Sequence, residues 1–140
     1  MTLKIQVSDG YEGHRYLAGV SSAGELVVKG FGESESKYNA MSSINTAYNF
    51  FIPKSKQNFI ITSILFSGPG TASIDIYEAP SATSTTIDKQ LIHIEILEKA
   101  FYPINLPFGG FLTVTEGEFL NAKTDAATVF MTIIGHYRPI

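Results

Sequence analysis

The chain has 140 residues, 44% of them apolar and 16% charged, with a formal net charge of −3 and no cysteine. That length suits one domain with a small appendage, large enough to bury a core without staples. The missing cysteines exclude disulfides, thiolate nucleophiles and cysteine-ligated metals. The bases are thinly spread, with Lys54 and Lys56 the nearest to a cluster, which excludes the charged stripe of a nucleic-acid binder.

Residues 1–28 predict a small β-ribbon arm. Leu3, Ile5 and Val7 alternate with polar residues, and Asp9-Gly10 is a turn signal because glycine takes positive φ without strain. Tyr16 to Val20 reads as a second strand, and Ser21 to Gly24 turns the chain into Glu25 to Val28. A ribbon this small is marginal alone, so it is expected to lie on the main domain or a neighbouring subunit. Residues 29–46 read as a flexible linker, with Gly30, Gly32 and alternating Ser and Glu offering little to bury. A helical turn is conceivable over 38–42.

Residues 47–140 read as a β-sandwich domain of eight short strands. Ala47 to Ile52 is broken by Pro53. Asn58 to Phe66 is apolar on both faces and reads as a central, doubly covered strand. Gly68-Pro69-Gly70 turns it into Ser73 to Glu78, with Ile74 and Ile76 inward and Asp75 and Tyr77 outward. In Gln90 to Glu98 three isoleucines at period two favour a strand over a helix, with His93 and Glu95 outward. Phe101 to Leu106, Phe111 to Glu116, Phe119 to Lys123 and Thr128 to Tyr137 complete the set, with Pro107 to Gly110 and Thr124-Asp125 as turns. Strands spaced by roughly ten residues predict an all-β, two-sheet antiparallel sandwich, most simply a jelly roll.

Chemistry is sparse. His14, His93 and His136 share no metal-ligand spacing, and His93 with Glu95 reads as an exposed polar pair. Glu116 and Glu118 flank Gly117 on a hairpin tip. Such a pair would need a cleft to act on a glycosidic bond, and a solvated turn is the simpler reading. No Gly-x-Ser-x-Gly elbow, dinucleotide fingerprint or phosphate loop occurs. No catalytic, cofactor-binding or metal residues are therefore assigned, and the chain is expected not to be an enzyme. The aromatics, among them Tyr48, Phe50, Phe51, Tyr77, Phe101 and Tyr102, are expected to fill the core and a subunit interface, with glycan binding the rival use. No apolar stretch is long enough to span a bilayer and no apolar leader opens the chain. A soluble protein made in a cytoplasm, with no membrane partner, is expected.

Two stretches carry a family resemblance. Val7 to Val20 followed by Gly24-Glu25-Leu26-Val27-Val28 resembles an N-terminal module of tailed-bacteriophage virion proteins, departing at Gly19, where that module has a polar residue. Val129 to Tyr137, closing in Gly135-His136-Tyr137, resembles the last strand of small phage β-sandwich proteins. The resemblance covers about a third of the chain. It implies a non-enzymatic virion component made in the host cytoplasm: a capsid decoration (cement) protein, or a tail, neck or fibre part. The implied partners are copies of itself in a trimer or other cyclic oligomer, major capsid or tail proteins, and, for a fibre part, glycans. It brings no catalytic residues.

Overall fold

A computed structural model describes residues 34–106 and 112–140 in full and the backbone of strands β1 (Ile5–Ser8), β2 (Arg15–Val20) and β3 (Leu26–Val27). The chain divides into two compact units, Met1–Phe31 and Gly32–Ile140. In the first, β1, β2 and β3 pair antiparallel in that order, with Ile5 opposite Ala18 and Gly19 opposite Val27. This matches the expected ribbon. Its turns at Asp9-Gly10 and Ser21–Gly24, and His14, lie outside the described residues.

The second unit is built from β4 (Glu35–Met41), β5 (Tyr48–Phe51), β6 (Gln57–Ser67), β7 (Ala72–Ala79), β8 (Lys89–Ile96), β9 (Phe101–Asn105), β10 (Thr113–Val114), β11 (Phe119–Thr124) and β12 (Val129–Pro139). β9 lies against Ser63–Ser67 and β10 against Phe59–Ile60, so the two share one edge of β6 and act as one interrupted strand. The first sheet then reads β9/β10–β6–β12–β4 and the second β5–β11–β7–β8, every pair antiparallel. The strands of this unit thus pair as one long hairpin rolled up. β4 pairs with β12, β5 with β11, β6 with β9/β10, and β7 with β8. That is the jelly roll, and the all-β sandwich is the observed architecture.

Four expectations are corrected. The segment read as a flexible linker contains β4, which pairs with β12 from Met41 opposite Val129 to Glu35 opposite Gly135. β4 is an edge strand, held by backbone ladder bonds more than by apolar side chains, so its Ser, Lys and Asn gave no strand signal. The same pairing replaces the helical turn at 38–42. Next, β6 is not doubly covered along its length. Where β12 passes from Ile134 to Gly135, its β6 partner jumps from Ser63 to Ile61, leaving Thr62 as a bulge. The inward residues are Phe59 and Ile61 before the bulge and Ile64 and Phe66 after it. One face therefore changes parity and mimics two apolar faces. Finally, Tyr77 is on the outward side of β7 yet fully buried. The loop after β7 folds back over it: Tyr77 Oη donates to Ser84 O at 2.9 Å, and buried Asn121 donates to Ser81 O and Ser84 O while accepting from Asn49 Nδ2.

The core fills the space between the sheets. Met41, Phe59, Ile61, Ile64 and Phe66 of the first sheet, with Val129, Met131 and Ile133 from β12, meet Phe51, Ile74, Ile76, Ile94, Ile96 and Leu120 of the second. The expected inward set Ile92, Ile94 and Ile96 holds, with Ile92 partly buried at the edge. Pro107–Phe111 lies outside the described residues.

Candidate interaction surface

The outward positions of the first sheet form a grid that register alone defines. Its first row runs Phe101, Ser67, Phe130, Ala40; its second Pro103, Leu65, Thr132, Tyr38; its third Asn105, Ser63, Ile134, Ser36. No position in these rows is charged, and none is buried. Tyr38, Phe101 and Phe130 are 57%, 63% and 46% exposed. Exposed faces of antiparallel sheets are ordinarily polar, and this one mixes exposed aromatic and aliphatic side chains with Ser, Thr and Asn and carries no charge, which makes it the candidate contact surface. Beyond the rows, at the bulge, Ile60 and His136 face the same way and are buried.

The outward side of the second sheet is the opposite in character. Lys123, Asp75 and His93 form one cross-strand row, and Ser73 and Glu95 the next. His93 Nδ1 lies 2.7 Å from Asp75 Oδ1 and its Nε2 lies 3.0 Å from Glu95 Oε1. The hydrogen bond that the imidazole donates to Asp75, then the one it donates to Glu95, holds its pKa above the usual 6.5. The expected His93/Glu95 pair is therefore real, and Asp75 joins it from the neighbouring strand. With both ring nitrogens committed to carboxylates the imidazole offers no lone pair to a metal, and no group of three such side chains is placed to hold a metal ion among the described residues.

A raised histidine pKa gives stabilisation that is full below the unfolded value near 6.5 and is lost as pH rises through the folded value. The His93 ring resonances are thus expected to titrate above 6.5 by NMR. A double Asp75→Asn, Glu95→Gln variant should return the midpoint to the ordinary range, and an unshifted wild-type midpoint would show the bridge absent in solution.

An open groove of about 480 Å³ lies between β4 and β5, where the two sheets part. Phe51, Ile52 and Tyr137 give it apolar walls, and Glu35, Lys37 and Lys54 its charges. Lys54 Nζ sits 3.9 Å over the Tyr137 ring and 3.5 Å from Glu35 Oε1, and Tyr137 Oη donates to Ile52 O at 2.7 Å. The lysine is thus already engaged.

No family model matches this chain, and no curated protein does. Among solved structures, a chain of the virus-like particle of the extra small virus of the giant freshwater prawn Macrobrachium rosenbergii is 16% identical over 79% of this chain and 82% of that chain. Its TM-score is 0.36, too slight a likeness to assign a function.

The remaining sequence candidates do not converge. Glu116 Oε1 accepts the Lys56 amide at 2.6 Å, whereas Glu118 turns to Asp88 and Glu78 at the end of the second sheet. Burial first, then the charges of Asp88 and Glu78, push the Glu118 pKa up, and its Oε2 is buried without a hydrogen-bond partner. A raised carboxyl pKa favours the fold fully below the unfolded value and loses that contribution as pH climbs through the folded one. Glu118→Gln, which mimics the neutral acid, should therefore raise stability at pH 7 and flatten its fall between acid and neutral pH in urea titrations. Equal pH profiles for both proteins would refute the shift. Of the expected aromatic contacts, Phe101 reaches the uncharged face while Tyr102 stacks inward on Phe66, centroids 5.2 Å apart. Tyr48 is half-buried and its Oη accepts the Ser43 amide. Tyr38 and Phe130 were missed. The signal was present: Ser-x-Tyr-x-Ala, Ser-x-Leu-x-Ser and Phe-x-Thr-x-Ile at period two, all without charge.

Proposed function

We propose that this chain is a non-enzymatic viral structural protein, a jelly-roll subunit that associates with copies of itself within a virion. Within that role we assign it to capsid decoration in a tailed bacteriophage. The uncharged outer face of the first sheet carries the reading, because a free surface of this kind invites association. Jelly rolls serve capsid, lectin and cupin domains, so the architecture agrees with the role without selecting it. The low charged fraction, 16% against a norm near 25%, points the same way. The phage and decoration parts rest on the resemblance of Val7–Val28 and Val129–Tyr137 to phage virion proteins.

Sedimentation with purified phage heads stripped of accessory proteins tests the role. Saturable co-sedimentation supports decoration. Self-association without binding to heads would remove decoration and leave a tail or other virion part. A second reading, glycan binding, is favoured by one observation: the exposed Tyr38 ring beside Thr132 and Ser36, an aromatic flanked by hydroxyls. A glycan array decides it, with binding lost in Tyr38→Ala if the reading holds.

A further inference from the structure

We infer that the uncharged face is self-complementary: two copies pack first sheet on first sheet about a two-fold axis. This rests on the self-association reading and specifies its surface and partner. The sandwich edges are guarded against strand addition. β4 turns Glu35 and Lys37 to its core side, at the groove. β5 spans only Tyr48–Phe51 before Pro53, β8 carries Lys89, His93 and Glu95, and β9 contains Pro103. Inward charges, short edges and prolines are the devices that block edge pairing. Association is thereby directed to a face.

Charge then selects the partner face. Docking the first sheet on the second sheet of another copy would strip water from Lys123, Asp75, His93 and Glu95 with nothing opposite to pair them. Docking it on its own counterpart buries no charge. The contact is then isologous and closes at two, with the sheets about 10 Å apart and crossed near −30°. Phe101, Phe130 and Tyr38 supply the aromatic anchors that dominate such contacts, and the serine and threonine hydroxyls between them supply hydrogen bonds. Strand spacing near 4.8 Å and rise near 3.4 Å give the three rows a plan area of only roughly 300 Å². That is small against the ~800 Å² per partner of a standard interface, so the pair is weak and concentration-dependent, suited to a contact repeated many times in an assembly.

The test is light scattering of the full chain over a wide dilution series. A monomer–dimer equilibrium is expected, weakened at least about tenfold by Phe130→Glu and by Tyr38→Glu, each introducing a charge at the contact, and unchanged by Glu95→Lys on the opposite face. Near-UV circular dichroism confirms that each variant is folded. Association that survives both first-sheet variants, or that Glu95→Lys abolishes, overturns the two-fold contact while self-association stands. A wild-type monomer at every concentration overturns both.

Discussion

Gly135→Ala is expected to destabilise the jelly-roll unit by about 3 kcal/mol or more, at or beyond the top of the usual range for forcing atoms into a packed core. Gly135 is buried on β12 beside the Thr62 bulge. A Cβ there would collide with the carbonyl oxygen of Ile60 and stand 2.7 Å from Phe59 Cζ. The oxygen belongs to the β6 backbone and cannot yield without breaking the bulge. Nor can the Phe59 ring swing away, since it is stacked on Phe51 with centroids 3.8 Å apart and abuts Tyr137 edge-on at 5.0 Å. The glycine is thus needed for close approach of two backbones. Thermal unfolding should show a drop of more than about 10 °C, or no folded protein. A Tm within about 2 °C of wild type would mean that the bulge is not formed.

That bulge also marks the limit of what the sequence disclosed. Eight strand segments, their turns and the sandwich were legible because apolar residues alternate at period two between Gly, Pro and Asp clusters. Topology was legible only as the simplest option, since a meander shows the same alternation. Phe59, Ile61, Ile64 and Phe66 appear to lie on two faces until the extra residue at Thr62 is known. β4 was invisible because an edge strand is held by its neighbour's backbone, and its side chains need not be apolar. Counting β9 and β10 as separate strands compensated for missing it, so the tally of eight was right for the wrong strands. The candidate surface was half legible. Phe101 was singled out in the sequence, but only the β12–β4, β12–β6 and β6–β9 registers place Phe130, Tyr38 and Phe101 on one plane. Tyr77 faces outward as read, and its burial was not legible because a loop, rather than a second sheet, covers it.

Phe59→Ala should cost about 3–5 kcal/mol, the range for removing a buried phenylalanine and leaving a cavity. Phe59 is 3% exposed and holds the centre of the Phe51–Phe59–Tyr137 cluster, so the stacking with both neighbours is lost as well. Phe59→Leu keeps most of the volume and should cost less than half as much. The contrast with Phe130 separates stability from association. Phe59 points into the core on β6, and Phe130 points out of the same sheet from β12. The core variant should therefore lower the urea midpoint while leaving the dimer dissociation constant of the folded protein unchanged. Phe130→Glu should do the reverse, because a 46% exposed side chain loses little on meeting water. Urea titration paired with light scattering on both variants reads the two effects independently. If Phe130→Glu instead lowers the urea midpoint as far as Phe59→Ala does, the outer face belongs to the fold of a single copy, and the surface proposed for contact between copies is not free.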